Sequence, residues 1–427
     1  MTRAQWHDRI YMFSLVAILL TMPYGRATNS IPILLLVGNW LLSGNWASKR
    51  ERWNRNKTAI AVLTGIYVVQ LVSVLWTSEL SRVPTTLQTR LGLLVLPLII
   101  GTAPPWSAVR QLRLMATFVL SCLVAALICH SDALLRLYEA GAPISDIFTG
   151  YYTYGYLVEV IGINPIYMSM YLVLAIFLAG FLLTRLRYLL PAWQKWGLRL
   201  IMVYLLFFIV HLGARMGLLT LVGLGGVALL KRLLSGRRQL ATLLGVGAAV
   251  AVIVAVLLVN QRTERFINMF EPISEEHTEV LQPMADMPLR IAIWYAAWEV
   301  IREAPLLGIG MGDTTEAMVE QFERYHFTEA TEKRLNTHNQ YLAHWMMAGI
   351  PGLIALLLYV LMPLRWALAR RDPMYLVVVL LVALTFVTEN LLSQQRGVVF
   401  VAFFFALFTF YDPATARLPQ EKTMDPD

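Results

Sequence analysis

The stretch NTHNQYLAHWMMAGIPG covers residues 336–352 and joins two kinds of sequence. From Tyr341 onward it is apolar and typical of the start of a membrane-spanning helix, whereas its first residues are polar and include His338, Asn339 and Gln340. A membrane helix that begins with an imidazole and two amides has two interpretations. The polar residues are either an ordinary helix cap or part of a reaction site, and the rest of the chain has to decide.

Composition indicates a membrane protein. Of the 427 residues, 58% are hydrophobic and 15% are charged, whereas soluble domains carry about 25% charged residues. Apolar runs of about 17–25 residues, long enough to cross a bilayer, recur along the whole chain. The two cysteines, Cys122 and Cys129, are seven residues apart in one such run. On a helix they would be about 10 Å apart, which is too far for a disulfide, so we interpret them as packing residues.

The hydropathy pattern predicts an all-α polytopic membrane protein with about twelve spans. The predicted spans are 10–24, 30–47, 58–77, 88–103, 112–135, 162–183, 198–213, 216–232, 239–260, 340–363, 374–392 and 396–411. Residues 1–427 then form a single transmembrane domain. A long loop at 261–338 lies between spans nine and ten and is the only sizeable polar segment.

Basic residues alternate between the connections and predict the topology. One set of connections contains KRERWNRNK (49–57) and KRLLSGRR (231–238), and the other set is poor in Lys and Arg for its length. The positive-inside rule makes the first set cytoplasmic. Both termini are then cytoplasmic, and the long loop is periplasmic. The net charge of +8 follows from this bias and needs no nucleic-acid partner.

The long loop contains predicted helices. Pro288 suits a first helical turn and Pro305 follows the helix end. Ile291, Trp294, Tyr295, Trp298 and Ile301 fall on one helical face, which predicts an amphipathic helix lying on the membrane or on the bundle. LLGIGMGD (306–313) then predicts a glycine turn, after which Asp313 or Thr314 caps a second helix that runs toward Leu335.

Two kinds of site are excluded by the motifs. GIGMG (308–312) lacks the Lys-Ser/Thr of a P-loop and the strand–turn–helix setting of a dinucleotide site, so it is interpreted as a tight turn. No Cys/His cluster has zinc spacing. A metal-dependent transferase that uses a soluble nucleotide sugar is therefore not expected, and no cofactor is predicted.

Several ionisable residues fall at one predicted depth, the outer boundary of the membrane. They are Arg215, Glu389, Arg262, Arg265, Arg290 and His338. Ionisable groups at membrane depth usually face a cavity or a partner, because they cost about 2.5–3.5 kcal/mol on insertion scales. Arginines at the level of lipid headgroups suit a phosphate, since the guanidinium donates two parallel hydrogen bonds. A pyrophosphate on a polyprenyl chain would place its charge at this depth. For each arginine alone, snorkelling to the interface is the other interpretation.

His338 has an ordinary interpretation as a helix N-terminal residue, with Asn336 or Thr337 as the cap. A neutral imidazole is favoured there, because the helix dipole resists the imidazolium, and a neutral imidazole is what a general base requires. His344, six residues on, is rotated by about 240° and is predicted to be packed or to face a cavity. Gly349 and Gly352 would permit close helix approach.

The spacing of His338, Asn339, Gly349 and Gly352 resembles the signature of bacterial O-antigen ligases. This family shares a superfamily with O-antigen polymerases and protein O-oligosaccharyltransferases. GARMGLLTL (213–221) is similar to the arginine-bearing segment of the family, and LRIAIWYAAWEVI (289–301) with PLLGIGMG (305–312) is similar to the core of its periplasmic loop. The resemblance covers about residues 200–400, and the first 190 residues share only the hydropathy.

The resemblance implies a GT-C-type glycosyltransferase that needs no metal. It would transfer a glycan, with inversion, from undecaprenyl pyrophosphate to a sugar hydroxyl of lipid A–core in the bacterial inner membrane. His338 matches the essential histidine of the family, Arg215 its membrane arginine and Arg290 its loop arginine. Glu389 is a looser match to an acidic position. Arg265 and Asn339 complete the predicted substrate-binding residues.

Two other functions remain open at this stage. The same donor chemistry serves an O-antigen polymerase or a protein O-oligosaccharyltransferase, although no further soluble domain follows the last predicted span, which favours the ligase. A flippase or proton-coupled transporter of lipid-linked glycans would also have about twelve spans. Transporters place substrate groups near the midplane of repeated halves, whereas here the ionisable residues gather at one boundary and no repeat is visible.

Overall fold

The computed structural model describes residues 1–105, 107–234, 272–273 and 279–411. Within these ranges the secondary structure is α-helices and short 3-10 turns, and the only β feature is an isolated bridge between Pro272 and Pro288. The all-α class is therefore confirmed for the described residues. The helices are α1 Arg3–Thr21, α2 Arg26–Leu42, α3 Trp46–Val72, α4 Val83–Arg90, α5 Gly92–Gly101, α6 Ala108–Glu139, α7 Tyr154–Leu157, α8 Pro165–Arg185, α9 Ala192–Leu212, α10 Arg215–Leu234, α11 Leu289–Glu303, α12 Thr314–Arg324, α13 Thr328–Glu332, α14 Gln340–Arg370, α15 Pro373–Thr388 and α16 Gln395–Thr409.

Six helical stretches of the described residues are long and apolar enough to cross a membrane. They are Trp46–Trp76, Leu80–Gly101, Ala108–Glu139, Pro165–Arg185, Ala192–Leu212 and Gln340–Arg370. Four shorter apolar helices are Thr28–Leu42, Arg215–Gly226, Pro373–Thr388 and Gln395–Thr409. Every predicted span that falls on described residues overlaps a helix. The ninth predicted span (239–260) lies outside them, so the count of twelve spans and the GT-C architecture stay predictions.

The core of the bundle surrounds α16. Its residues from Gly397 to Thr409 are all buried, as expected for a helix that is apolar on every side. Its aromatic rings pack on neighbouring helices, for example Phe404 on Phe118 of α6 with ring centroids 4.9 Å apart. Cys122 and Cys129 are both buried and free, which confirms the interpretation of them as packing residues.

The helix α14 is broken at Ala348 and Gly349, where the backbone leaves helical geometry. The segment 306–310 supplies hydrogen bonds at the break. The N–H groups of Ile309 and Gly310 donate to the carbonyls of Met346 and Met347 at 2.9 and 3.0 Å, and the N–H of Ile350 donates to the carbonyl of Leu306 at 3.1 Å. A β carbon on Gly349 would lie 2.2 Å from that Leu306 oxygen. The predicted role of Gly349 in helix–helix approach is thus wrong, because its close neighbour is a loop.

The interpretation of GIGMG as a turn between two helices is confirmed, and the turn is also a docking element. A β carbon on Gly310 would lie 2.7 Å from the Cα of Thr77, and one on Gly312 would lie 2.0 Å from the carbonyl oxygen of Glu79. The carboxylate of Asp313 accepts hydrogen bonds from the N–H groups of Ser78 and Glu79 at 2.8 and 2.6 Å. The turn therefore fixes the long loop to the segment that follows α3.

Two predictions about the helix after this turn need correction. Asp313 is at the N-cap position of α12, but its side chain makes no capping bond there, because both carboxylate oxygens bind the 78–79 backbone. The helix also ends at Arg324 and does not run on toward Leu335. A short helix, α13, follows after Phe327.

The predicted amphipathic face of α11 is only partly buried against the protein. Of the five residues on the predicted face only Ile301 is buried, while Ile291 and Trp298 are 44% and 43% exposed. The buried face consists instead of Ala292, Ile293, Ala296, Ala297, Val300 and Ile301. Alanines permit close approach of a neighbour, and α11 packs against α14, where the ring of Trp298 contacts that of Trp345. The helix limits themselves agree with the prediction, since α11 begins after Pro288 and ends before Pro305.

We predict that Gly349→Ala destabilises the protein by about 1–3 kcal/mol or more, because Gly349 has a φ of +61° and its added methyl group would collide with the Leu306 carbonyl. The measurement is the melting temperature of the purified protein in detergent. Gly197→Ala is the matched control, because Gly197 lies in α9 with open space around its Cα, so its melting temperature should stay the same or rise slightly. Equal melting temperatures for Gly349→Ala and the wild type would contradict the prediction.

Candidate functional site

His338 and Glu389 lie at the same end of the bundle because of a helical hairpin. The helices α14 and α15 are joined by residues 371–372 and pack against each other, so they run antiparallel. His338 precedes the start of α14 and Glu389 follows the end of α15. Two residues that are 51 positions apart in sequence are thus brought together.

Three of the residues singled out from the sequence form one cluster, which we call the His–Glu–Arg cluster: His338, Glu389 and Arg290. Nδ1 of His338 lies 3.4 Å from Oε1 of Glu389, and the same oxygen lies 3.7 Å from Nη2 of Arg290. Nη1 of Arg290 donates to the carbonyl of Thr388 at 2.6 Å. A single carboxylate therefore stands between an imidazole and a guanidinium, at the end of α15.

The backbone at His338 is held in an uncommon conformation. Its φ is 43°, in the left-handed region, and its N–H donates to Oδ1 of Asn336 at 2.9 Å. A left-handed residue that is not glycine costs free energy and persists only where the surroundings fix it, as happens often at functional sites. The imidazole of His338, which this turn carries, lies next to Glu389.

The cap of α14 is Asn339, which corrects the predicted caps Asn336 and Thr337. Oδ1 of Asn339 accepts hydrogen bonds from the N–H groups of Tyr341 and Leu342 at 2.9 and 3.1 Å. Because His338 is left-handed, helical geometry begins only after Asn339. With Oδ1 of Asn339 used by the cap, only its amide NH₂ remains for a substrate, and that binding role stays a prediction.

A layer of buried polar contacts joins the two segments beneath the cluster. Oγ1 of Thr337 donates to Oδ1 of Asn390 at 3.0 Å. Oε1 of Gln340 accepts a hydrogen bond from the N–H of Leu392 at 2.7 Å. Residues 337–340 and 389–392 are thus fixed to each other, which sets the distance between His338 and Glu389.

Proton transfer is one kind of chemistry that this cluster could perform. Nδ1 of His338 and Oε1 of Glu389 are buried and make no hydrogen bond with the described residues, although they face each other. Catalytic hydrogen bonds are often long before substrate binds and tighten afterwards. If Nδ1 carries the proton, Nε2 has a free lone pair, and the side chain of His338 is 29% exposed. The carboxylate would then stabilise the imidazolium that forms when Nε2 takes a proton.

Arg215 lies at the same end of the bundle. It begins α10, and a β carbon on Gly217 would lie 2.5 Å from Cβ of Ser169, so the first turns of α10 and α8 are in contact. The hydroxyl of Tyr171 in α8 donates to the carbonyl of Arg396, at the start of α16, at 3.1 Å. The binding role of Arg215 stays a prediction. Arg265 and Arg262 lie outside the described residues.

The sequence reasoning missed one arginine, Arg90, with the polar residues around it. Nη1 of Arg90 donates to Oε1 of Gln70 at 3.2 Å, and Nε2 of Gln70 is 2.8 Å from Nε2 of His344. His344 is buried, which confirms that it is a packed residue. A signal for Arg90 was present, because it is a charged residue inside the predicted span 88–103, and such residues are rare in membrane helices unless they have a function.

Charged side chains also fix the long loop outside the cluster. Glu316 of α12 accepts a hydrogen bond from Arg334 and lies 2.6 Å from Nη2 of Arg82. The hydrogen bond from Arg334 is the main reason why the pKa of Glu316 is lowered. Glu316 thus pairs with one arginine from the turn before α4 and one from the end of the loop. Within the described ranges, no three His, Cys, Asp or Glu side chains are grouped so that they could hold a metal ion.

Comparison with known proteins adds a family to this geometry. Residues 200–357 match the family described as O-antigen ligase, a range that includes Arg215, Arg290 and His338 but not Glu389 or Arg90. An uncharacterized protein of Haemophilus influenzae is 35% identical over 75 residues, which are 18% of this chain and 19% of that protein. The matched range is less than half of the chain, and its description agrees with the resemblance seen in the motifs.

Proposed function

We propose that the protein is a membrane glycosyltransferase that moves an O-antigen glycan from undecaprenyl pyrophosphate to a sugar hydroxyl of lipid A–core. The O-antigen ligase domain supports a ligase- or polymerase-type function in a membrane. The observation that carries the proposal is the contact of 3.4 Å between His338 and Glu389 beside Arg290. The His–Glu–Arg cluster combines a base, a carboxylate that supports the base, and a cation. The sequence carries no nucleotide-binding motif, which agrees with a lipid-linked donor.

His338 acts as the general base in this proposal. Its Nε2 takes the proton of the acceptor hydroxyl while the hydroxyl oxygen attacks the anomeric carbon of the donor. The bond from that carbon to the pyrophosphate oxygen breaks on the opposite side, so the configuration inverts. Glu389 stabilises the resulting imidazolium through Nδ1, as the carboxylate does in other histidine-based sites.

The leaving group carries the negative charge that develops in this reaction, and arginines would stabilise it. Arg215, Arg290 and Arg265 are the residues proposed for this task, and Asn339 and Glu389 are proposed to contact the glycan or position an arginine. Oriented donors that meet developing charge can each contribute about 10²–10³ in rate. Since guanidinium groups can neutralise a pyrophosphate, the reaction is proposed to need neither a metal ion nor another cofactor.

The proposed location is the bacterial inner membrane, with both termini in the cytoplasm and the His–Glu–Arg cluster on the periplasmic face. Apolar helices and the family support a multi-pass membrane protein. The distribution of basic residues supports the orientation. The segment 261–338, which carries Arg290, is proposed to be a periplasmic loop.

We predict that His338→Ala lowers the rate of glycan attachment by about 10²–10⁴-fold, because the general base is lost. The measurement is the amount of glycan-bearing lipopolysaccharide in cells that depend on this protein, with membrane insertion checked by immunoblot. His326→Ala is the matched control, since His326 is an exposed residue of the same loop with a similar left-handed φ of 57°. Normal attachment by His338→Ala would refute the assignment.

We predict that Glu389→Gln lowers the rate by about 10–100-fold, because the amide cannot stabilise an imidazolium and leaves Arg290 without its counterion. The rate is measured with purified protein and isolated donor and acceptor lipids. Glu303→Gln is the control, because Glu303 is 64% exposed and has only a contact of 3.9 Å with Arg324. A wild-type rate for Glu389→Gln would remove Glu389 from the mechanism.

We also predict that purified protein joins the donor glycan to lipid A–core in the presence of a chelator and without any ion gradient. Mass spectrometry of the lipid product is the measurement. A product that appears only as a longer lipid-linked glycan would instead indicate the polymerase, and a mass shift only on pilin-like proteins would indicate the oligosaccharyltransferase. No product at all, with gradient-driven movement of the lipid, would indicate a transporter.

A further inference from the structure

Arg90 is a charged residue within an apolar helical stretch. It is the last residue of α4 and belongs to Leu80–Gly101, one of the stretches suited to cross a membrane. Placing a guanidinium there costs free energy unless a partner compensates its charge. The partners of Arg90 therefore indicate its role.

The described partners of Arg90 are all neutral. Nε donates to the carbonyl of Leu392 at 3.1 Å, and Nη1 contacts Oε1 of Gln70 at 3.2 Å and Sδ of Met347 at 3.1 Å. Among the described residues, no carboxylate comes within ion-pair distance of Arg90, in contrast to Arg290, which shares its charge with Glu389. Neutral acceptors orient a guanidinium but leave its charge uncompensated.

These acceptors are themselves fixed by further hydrogen bonds. Since Oε1 of Gln70 faces Arg90, its Nε2 donates to Nε2 of His344 at 2.8 Å. The other ring nitrogen of His344, Nδ1, then carries the proton and donates to the carbonyl of Gln340 at 3.0 Å. The side chain of Gln340 in turn holds Leu392. This network of hydrogen bonds holds the guanidinium of Arg90 in one orientation. His344 takes part in it as a neutral imidazole.

One edge of Arg90 remains available to a ligand. Nη2 makes no hydrogen bond with the described residues. Arg90 as a whole is partly exposed. It is also close to the His–Glu–Arg cluster, because Leu392 follows Glu389 by three residues and Met347 lies in α14.

We propose that Arg90 binds a phosphate oxygen of a lipid through Nη2. An oriented guanidinium with an uncompensated charge requires an anion, and a phosphate on a lipid is the anion that reaches membrane depth. The lipid is either the pyrophosphate-bearing donor or a phospholipid of the bilayer. If the lipid is the donor, the inference rests on the proposed function and adds Arg90 to the binding site for the donor pyrophosphate.

The experiment compares lipid binding by the wild type and Arg90 variants in nanodiscs, using native mass spectrometry. The probes are undecaprenyl pyrophosphate, undecaprenol and phosphatidylglycerol. The variants are Arg90→Met, Arg90→Gln, which keeps a donor for the Leu392 carbonyl, and Arg90→Lys, which keeps the charge. Arg302→Met is the control, because Arg302 is 61% exposed and pairs with Glu299 on the surface of α11.

We expect the wild type and Arg302→Met to bind undecaprenyl pyrophosphate, with much weaker binding of undecaprenol. Arg90→Met and Arg90→Gln should lose about 10–100-fold in affinity for the pyrophosphate lipid, as for a lost charge-assisted hydrogen bond, and Arg90→Lys should lose less. If only the affinity for phosphatidylglycerol falls, Arg90 still binds a lipid phosphate, and the bound lipid is a phospholipid of the bilayer.

Two negative results have different meanings. Unchanged affinity for both phosphate lipids in a neutral variant that folds would overturn the inference and leave the proposed function intact. Failure of the wild type to bind undecaprenyl pyrophosphate would instead count against the proposed donor, and the phosphatidylglycerol measurement would then decide on Arg90 alone. Because Arg90→Gln and Arg90→Lys retain a polar side chain, the test still applies if Arg90→Met does not fold.

Discussion

The break in α14 at Ala348 and Gly349 exposes backbone groups that a membrane environment cannot satisfy, and the segment 306–310 supplies their hydrogen bonds. A broken helix is tolerated at membrane depth only where other protein groups replace the lost helical bonds. This constraint ties the long loop to the bundle at backbone level. Because α11 precedes this segment directly, the same bonds help to determine where the loop helix lies on α14.

The His–Glu–Arg cluster depends on that attachment. Arg290 is the second residue of α11, and it reaches the end of α15 to bind the Thr388 carbonyl and pair with Glu389. His338 comes from the other helix of the hairpin. The cluster is thus assembled from the loop and from two helix ends, so its geometry requires the loop to be docked.

The two arginines near this end differ in electrostatic role. Arg290 shares the carboxylate of Glu389 with His338, whereas the partners of Arg90 among the described residues are all neutral. A guanidinium that already has a counterion gains less from a phosphate than one that has none. For this reason Arg290 is suited to hold Glu389 and the loop as well as to bind a ligand, and Arg90 is the stronger candidate for an anion.

Composition and apolar run length by themselves predicted the membrane class, and each predicted span within the described residues overlaps a helix, because crossing a bilayer requires about 17–25 apolar residues. The motif around His338 also resembled the family whose model matches residues 200–357. Periodicity detected the large apolar residues of α11 but not the alanines on its buried side. The contact between His338 and Glu389, the Asn339 cap and the neutral partners of Arg90 were decided only by the tertiary structure, because each joins segments whose approach depends on the fold.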